Sequence, residues 1–283
     1  MTKLLQIPDG LKRKALKLAD EIGDVIIDCE SCYGACDLAV NEAKALECDK
    51  IIHFGHSKLL ESDIPVEYKE IREKINIPLE KINLKEKRIG LVSTLQFLDY
   101  LKAVKGLLEK NGKIVKIGKG KGYDGQILGC DVSSAKSINK DVEAFLYIGS
   151  GQFHPLGLAI QTEKPVYFLN VEKNKLEDLK DLKEKFLKQK YTAIALAKDA
   201  KTFGILVSVK PGQLNLKLAK EIEKRLESKG KKAYILVFNE IKPEKLEGLN
   251  LDCYINTACP RIAIDNRTDF KKPILNSDEL EIL

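Results

Sequence analysis

The fold is decided by residues 88–117, which read RIGLVSTLQFLDYLKAVKGLLEKNGKIVKI. The apolar run at 88–94 predicts a buried strand, and the stretch 97–110 predicts a helix, with apolar residues at helical spacing (Leu101, Val104 and Leu108). The Asn-Gly pair that follows is typical of a helix end, and residues 113–117 predict a second strand. Strand, helix and strand in this order predict a βαβ unit of an α/β protein.

The same unit recurs along the chain. Residues 202–238 repeat it, with a strand at 202–209, a helix at 214–228 and a strand at 233–238. The N-terminal copy is shortened: a helix at 11–22 precedes a strand at 25–27, and no strand is expected before that helix.

In every copy a further strand runs into a polar loop, and a strand led by proline follows it, at Pro65, Pro165 and Pro273. The sequence therefore predicts an α/β fold of three similar domains, an internal triplication with the boundaries 1–85, 86–199 and 200–283. Residues 173–190, rich in Lys, Glu and Leu, are expected to form a helix leading towards the last boundary.

Composition and charge exclude several classes of function. The chain has 283 residues, of which 44% are hydrophobic and 32% charged, and its net charge is +6. It has neither a long apolar run nor a signal peptide, so we expect a cytoplasmic protein outside membranes. Lysines alternate with glutamates along the predicted helices, which favours solvated helix faces over a nucleic-acid groove. No hydrolase or kinase motif stands out, which favours chemistry carried by a cofactor.

Seven cysteines, an odd number, favour metal ligation or burial over disulfide bonds. Cys36 and Cys130 are each followed by Asp and are expected to open a helix-like stretch, where the helix start would lower the pKa of the thiol. Cys259 comes just past the third strand of the last repeat, and open α/β sheets bind ligands at such strand ends. Three cysteines, one per repeat, could hold an iron–sulfur cluster with one open iron, or they could be small buried residues.

A second metal-binding possibility is local. Cys29, Cys32, Cys36 and Cys48 offer four thiols for zinc in a structural or small-molecule binding protein. The other interpretation of Cys29 and Cys32 is that they lie at a strand end and are not obligatory ligands. Cys48, on a predicted helix, and Cys253, inside a predicted strand, are expected in the core.

Polar loops after predicted strands supply candidates for binding a cofactor. The loop that follows the strand at 144–148 is rich in groups suited to an anionic ligand: Gly149, Ser150, Gly151, Gln152 and His154. His56 and Ser57 occupy the matching loop of the first repeat, whereas His53 lies within a strand and is interpreted as structural.

Two further stretches lie beside candidate cysteines. Arg261 and Asp265 flank Cys259 and could fix a carboxylate and an amine or ribose, or form an ordinary surface ion pair. The glycine-rich stretch 118–125 contains a GxGxxG pattern, but it opens no amphipathic helix. It is interpreted as a flexible loop that delivers Cys130, and not as a dinucleotide fingerprint.

Four motifs give the chain a family resemblance. They are YGACD at 33–37, HFGHS at 53–57, IGSGQFHPLG at 148–157 and NTACPRIAID at 256–265. Together they closely resemble the archaeal diphthamide-biosynthesis enzymes, the 2-(3-amino-3-carboxypropyl)histidine synthase family. The resemblance covers essentially the whole chain, and the last motif is the most diagnostic.

The resemblance implies a non-classical radical S-adenosylmethionine enzyme. It implies a homodimer of three-domain subunits in which Cys36, Cys130 and Cys259 hold a [4Fe–4S] cluster. The reduced cluster would cleave the bond from sulfur to the γ carbon of the methionine part of S-adenosylmethionine. The resulting 3-amino-3-carboxypropyl radical would add to imidazole C2 of a histidine in translation elongation factor 2.

The resemblance also bears on partners and on the N-terminus. An electron donor is implied, whereas neither a membrane nor a direct nucleic-acid partner is expected. The loop 149–151, with His154 or Arg261, is the candidate for holding the polar groups of the cofactor. Cys29 and Cys32 depart from the family pattern, and a dimer partner is expected to supply the strand that the first domain lacks.

Overall fold

The strands of this protein form three separate, largely parallel sheets. The computed structural model describes residues 2–282, and two of its sheets belong to one compact unit, Met1–Lys183, while the third belongs to a second unit, Glu184–Leu283. Counted within each sheet, the first four strands have the same order, 2-1-3-4. The α/β class and the internal triplication are thereby confirmed, and the domain boundaries at residues 85 and 199 stay a prediction.

The first sheet has the order β2-β1-β3-β4, and its strands are all parallel. Its strands are β1 (Lys3–Gln6), β2 (Val25–Asp28), β3 (Lys50–Phe54) and β4 (Val66–Lys69). Its helices are α1 (Ala15–Ile22), which continues a 3₁₀ turn at Asp9–Lys14, and α2 (Val40–Ala45); a 3₁₀ turn at Leu79–Lys81 follows the sheet.

The second sheet has the order β6-β5-β7-β8-β9, and only the last pair is antiparallel. Its strands are β5 (Arg88–Ser93), β6 (Ile114–Lys116), β7 (Ala144–Gly149), β8 (Val166–Asn170) and β9 (Lys175–Asp178). Its helices are α3 (Leu101–Lys110), after a 3₁₀ turn at Leu95–Tyr100, then α4 (Ser133–Ser137) and α5 (Phe153–Ala159); α6 (Lys180–Lys198) follows.

The third sheet has the order β11-β10-β12-β13 and is parallel throughout. Its strands are β10 (Thr202–Ser208), β11 (Lys232–Phe238), β12 (Cys253–Asn256) and β13 (Ile274–Asn276). Its helices are α7 (Leu216–Ser228) and α8 (Arg261–Asp265), with 3₁₀ turns at Pro243–Leu246, Arg267–Asp269 and Ser277–Ile282. Across residues 2–282, no helix combines the length and the apolar character that crossing a membrane requires.

The first sheet is not shortened, so the expectation that its first strand is missing is wrong. β1 is the inner strand that pairs with both β2 and β3. Leu4 packs into one apolar cluster and Leu5 into another, so β1 is covered on both faces. A buried parallel strand of four residues shows no polar alternation, and this is why its sequence gave no recognisable signal. The first sheet therefore needs no strand from a dimer partner.

The helix expected at 173–190 begins later than predicted. Residues Lys175–Asp178 pair antiparallel with β8, after a tight turn in which Asn174 has a positive φ of 51°. A left-handed backbone at Asn is typical of tight turns. The Lys and Glu residues of this stretch lie on an exposed edge strand, where charged side chains are common. The helix α6 follows, and its residues Ala193, Ile194 and Ala197 join the core cluster of β10.

A buried ion pair organises the end of the second unit. Arg267 donates from Nη2 to both carboxylate oxygens of Glu279, at 2.8 and 2.9 Å, and both side chains are almost fully buried. Its remaining donors reach the carbonyl oxygens of Ala263 and Ile274. Glu279 also accepts the backbone N–H of Asn276 at 3.0 Å. The pair therefore ties α8, β13 and the C-terminal turn together.

Removing one partner of this pair is expected to destabilise the second unit strongly. Arg267→Met removes the two short hydrogen bonds of the buried Glu279 carboxylate and leaves it only the Lys190 ammonium at 3.7 Å. Loss of a partner from a buried pair typically costs about 3–5 kcal/mol in the free energy of unfolding. Denaturant unfolding measures the loss. The matched control is Lys271→Met, which removes an exposed ion pair with Glu247 and is expected to cost less than about 1 kcal/mol. Equal losses in the two variants would contradict the importance of the buried pair.

Candidate functional site

Parallel pairing brings the polar residues of each sheet to one edge. In the first unit, loops from the edges of the first two sheets touch each other. Gln126 donates from Nε2 to Ser57 Oγ at 3.1 Å, and the Tyr123 hydroxyl donates to the Glu70 carboxylate at 2.9 Å. The guanidinium of Arg72 lies 4.8 Å from the centre of the Tyr123 ring. These contacts hold the glycine-rich loop that precedes Cys130 against the loops that follow β3 and β4.

A small open pocket lies between the glycine-rich loop and the loop that follows β3. The residues that line it are Ser57, Lys58, Leu59, Lys121, Gly122, Gln126, Leu128 and Asp131. Two of these residues, Leu128 and Asp131, bracket Cys130 in the chain. The pocket thus joins the predicted loop at 56–57 to the region of the second candidate cysteine.

Cys130 lies in a turn and not at a helix start. α4 begins only at Ser133, whose backbone N–H is accepted by Asp131 at 2.8 Å, and Lys121 pairs with the same carboxylate at 2.8 Å. The Cys130 side chain is exposed, yet desolvation around its sulfur raises the pKa of the thiol. The expected lowering by a helix start is therefore wrong at Cys130, because the five-residue helix begins three residues later.

Cys36 likewise precedes its helix, since α2 begins at Val40. It is partly exposed and lies in a turn in which the Asp37 N–H donates to the Gly34 carbonyl at 3.0 Å. Asp37 is buried, and its backbone carbonyl accepts a hydrogen bond from the side chain of Gln6 at 2.6 Å. The end of β1 therefore anchors the turn that presents Cys36.

Two histidines extend this anchor, one buried (His53) and one partly exposed (His56). The Gln6 amide oxygen accepts from the Ala39 N–H at 3.2 Å and lies 2.8 Å from His53 Nδ1. His53 Nε2 lies 2.9 Å from His56 Nδ1. Burial lowers the pKa of His53 to about 3, with His56 as a second cause, and lowers the pKa of His56 to about 4. Both imidazoles are therefore neutral at pH 7.

The loop after β7 is shaped by aromatic contacts. Gly149 is the last residue of β7, and a Cβ there would collide with the Tyr147 hydroxyl. Gly151 has a positive φ of 65°, which L residues rarely adopt. His154 lies in the first turn of α5, and its ring stacks on that of Tyr147 with centroids 6.4 Å apart. Gly149, Ser150, Gly151, Gln152 and His154 thus form one continuous strand-to-helix turn.

In the second unit, two asparagines hold the turn that carries Cys259. Asn256, at the end of β12, donates to the Cys259 carbonyl and to the Asn276 side chain, both at 2.8 Å. Asn276, at the end of β13, donates to the Pro260 carbonyl at 3.2 Å. The two asparagines were not among the predicted site residues. Polar residues at the ends of apolar strands were the signal that could have found them.

Arg261 and Asp265 form the ion pair that was one of their two predicted roles. Arg261 Nε donates to Asp265 Oδ2 at 2.6 Å along α8, and desolvation by burial raises the pKa of Asp265. Their predicted contact with a cofactor stays a prediction.

The remaining cysteines divide by burial. Cys48 and Cys253 are buried, as expected for core residues, although Cys48 lies in the turn after α2 and not on the helix. Cys29 is exposed and Cys32 is buried. Within the part of the chain that the structure describes, the side chains that gather at metal-binding distance are Cys32, His53 and His56, and not the four cysteines proposed for zinc.

Comparison with known proteins decides the family. A model of the diphthamide synthesis protein family matches residues 7–283. The chain belongs to the diphthamide synthesis protein family.

Members of this family with known names cover nearly the whole chain. The 2-(3-amino-3-carboxypropyl)histidine synthase of Pyrococcus horikoshii is 38% identical over 294 residues, covering 99% of this chain and 84% of the relative. Subunit 1 of the corresponding synthase of Caenorhabditis elegans is 32% identical and covers 98% of this chain and 74% of its own length. A crystal structure of Dph2 from Pyrococcus horikoshii with a 4Fe-4S cluster matches with a TM-score of 0.88 at 36% identity, covering 99% of this chain and 85% of that one.

Substitution at Gly129 tests how tightly the Cys130 turn of this diphthamide-family chain is packed. A Cβ at Gly129 would overlap the ring of Phe153 at the start of α5, so Gly129→Ala must displace one of the two. We expect a loss of about 1–3 kcal/mol in the free energy of unfolding. Gly106→Ala is the control, because a Cβ there meets open space within α3 and is expected to stabilise by about 0.5–1 kcal/mol. A neutral Gly129→Ala would show that the turn is free to move.

Proposed function

We propose that this chain is a 2-(3-amino-3-carboxypropyl)histidine synthase. It transfers the 3-amino-3-carboxypropyl group of S-adenosylmethionine to imidazole C2 of a histidine in translation elongation factor 2, the first step of diphthamide biosynthesis. The observation that carries the proposal is the family match over residues 7–283. In the same chain, three turns that follow strands each carry a cysteine. The alternative of a four-cysteine zinc protein is not favoured.

The donor set fits a [4Fe–4S] cluster. Cys36, Cys130 and Cys259 are thiols outside the apolar core: Cys130 is exposed, and the other two are partly exposed. Thiolates are the ligands that such clusters take, and three of them leave one iron open to a substrate. When bound, the reduced cluster supplies the electron that breaks the bond between sulfur and the γ carbon of the methionine part.

The task of the chain is to hold these thiols in place. The Cys36 turn is fixed by the Gln6 amide, and the Cys259 turn is fixed by Asn256 and Asn276. Near Cys130, the Lys121 ammonium stabilises negative charge on the sulfur, which offsets part of the desolvation that raises the pKa of the thiol. Short polar networks therefore take the place of the helix starts expected from the sequence.

Positioning of S-adenosylmethionine decides which of its carbon–sulfur bonds breaks. We assign its polar groups to the residues predicted for them. The backbone N–H groups from Gly149 to Gly151, together with Gln152 and His154, suit a carboxylate or a ribose. His56 and Ser57 offer further polar groups in the matching loop of the first sheet. Arg261 suits the carboxylate through charge-assisted hydrogen bonds, and Asp265 suits the amine or ribose.

The protein partners follow from the reaction. A net charge of +6 suits docking onto a folded protein, because complementary charge raises the encounter rate more than the final affinity. The proposal includes a homodimer, an electron donor for the cluster and a cytoplasmic location. Light scattering of the purified chain tests the dimer, with a mass near 31.7 kDa as the result that would contradict it.

Loss of one proposed cluster ligand is expected to abolish the reaction. Cys130→Ala, reconstituted anaerobically with iron and sulfide, should lose bound iron. Its transfer activity on elongation factor 2 should fall by at least about 100-fold, because even a change to a residue that only supports a metal ligand lowers metal affinity or activity by about 10–100-fold. Iron analysis, electron paramagnetic resonance and transfer of label from S-adenosylmethionine provide the measurements.

The matched control is Cys29→Ala, which removes an exposed thiol outside the proposed ligand set. It should keep both iron and activity. Full iron content and activity in Cys130→Ala or in Cys259→Ala would show that the ligand assignment is wrong.

Removal of the Arg261 charge is expected to weaken S-adenosylmethionine binding. A hydrogen bond to a charged group contributes about 1.5–3 kcal/mol, so Arg261→Gln should raise KM for S-adenosylmethionine by roughly tenfold or more. Steady-state kinetics measures the change. Arg88→Gln is the control, because it breaks an Arg–Glu pair with Glu143 at the start of a strand. An unchanged KM in Arg261→Gln would remove this residue from the cofactor site.

A further inference from the structure

Three side chains of the first unit gather beside the proposed cofactor loop, and two of them, Cys32 and His53, have no role in the proposed reaction. Cys32 Sγ and one ring nitrogen each of His53 and His56 all lie within 4.8 Å of one another. Cys32 is in the turn after β2, His53 is near the end of β3, and His56 follows that strand. Cys32 and His53 are buried, and His56 is partly exposed. We propose that Cys32, His53 and His56 bind one Zn²⁺ ion.

The hydrogen bonds around His53 prepare it as a ligand. The Gln6 amide nitrogen donates to the Asp37 carbonyl, so its amide oxygen is the atom that faces Ala39 N–H and His53 Nδ1. His53 Nδ1 must therefore carry the proton, and Nε2 presents its lone pair towards His56. Metal-binding histidines usually donate their other ring N–H to a carbonyl or carboxylate in this way. Gln6 has that outer-shell role here.

The protons balance when an ion enters. In the metal-free pair, His56 Nδ1–H donates to His53 Nε2 across 2.9 Å. The ion replaces this shared proton, which moves to Nε2 of His56, so the two neutral imidazoles release nothing. The Cys32 thiol releases one proton as its sulfur–zinc bond forms. Binding therefore tightens as the pH rises towards the pKa of the thiol.

The geometry and the donor types suit zinc. Bonds of about 2.0–2.3 Å in a tetrahedral site place ligand atoms about 3.3–3.8 Å apart. Separations within 4.8 Å therefore need only small side-chain rotations to reach this range, and the two imidazole nitrogens, 2.9 Å apart, must move slightly apart. One thiolate and two imidazoles form a donor set typical of zinc. The fourth position is left for water on the partly exposed side of His56.

The ion would stiffen the segment that presents Cys36. Cys32 lies four residues before Cys36 in the same loop, and a Cβ at the intervening Gly34 would lie 3.6 Å from Cys36 Sγ. A bond from Cys32 to the two histidines would tie this loop to the end of β3. This consequence for the cluster rests on the proposed function, whereas zinc binding itself does not.

Cobalt binding in a chain that cannot form the cluster tests the proposal. The background is the full chain with Cys36→Ala, Cys130→Ala and Cys259→Ala, kept reduced and anaerobic. It is titrated with Co²⁺, which absorbs visible light in tetrahedral sites and shows a charge-transfer band when a thiolate is bound. We expect one Co²⁺ per chain, displaced by one Zn²⁺, and a thermal midpoint that rises when Zn²⁺ is added.

Single substitutions in this background identify the ligands. Cys32→Ser should remove the charge-transfer band, and both Cys32→Ser and His56→Ala should weaken Co²⁺ binding at least tenfold. Cys29→Ser and Cys48→Ser are matched controls in the same domain and should leave the titration unchanged. Circular dichroism of the metal-free variants tests whether each is folded. If Cys32→Ser does not fold, the loss of Co²⁺ binding in His56→Ala is the result that identifies the site.

Three results of the Co²⁺ titrations would overturn the proposal. They are an absence of Co²⁺ binding in the background chain, binding that survives both Cys32→Ser and His56→Ala, and binding lost in Cys29→Ser. A fourth arm uses the wild-type background after anaerobic reconstitution. If Cys32→Ser loses the iron–sulfur cluster there while His56→Ala keeps it, Cys32 is a cluster ligand and the zinc assignment is wrong. None of these readouts uses transfer activity, so failure of the zinc site and failure of the proposed function are distinguishable.

Discussion

Parallel pairing around an inner strand is the constraint on which the rest of this structure depends. β1, β5 and β10 each pair in parallel with a strand on both sides. Parallel pairs align the carboxyl ends of their strands, so within each sheet the loops that follow the parallel strands lie at one edge. Because the strands inside a parallel sheet are covered on both faces, polar groups concentrate in the loops beyond their ends.

The inner strands also explain how the cysteine turns are held. Gln6, the last residue of β1, reaches across the sheet to the Cys36 turn and to His53. In the third sheet, Asn256 and Asn276 end adjacent strands and hold the Cys259 turn, and the buried Arg267–Glu279 pair supports Asn276. A side-chain amide suits this position because it can donate and accept at once. These amides connect strand packing to the placement of reactive groups.

The chemistry of the site was more predictable than its local geometry. Cys36, Cys130 and Cys259 could be chosen from the repeat, since each follows an apolar strand or precedes the next one. The helix starts predicted at Cys36 and Cys130 were wrong, because α2 and α4 are only six and five residues long and begin four and three residues after the cysteine. Short helices depend on tertiary packing and are weakly encoded in local sequence. β1 was missed for a related reason, since both faces of a short inner strand are apolar.

The sequence by itself determined the α/β class, the threefold repeat and the family. It also distinguished the buried Cys48 and Cys253 from the cysteines that are candidate ligands. These properties depend on hydrophobic periodicity and on residue identity, and both are present in the linear chain. Only the tertiary structure decided that β1 is an inner strand and that Gln6 sets the proton position on His53. It alone brought Cys32 to His53 and His56, because residues far apart in the chain become neighbours only when parallel strands align their carboxyl ends.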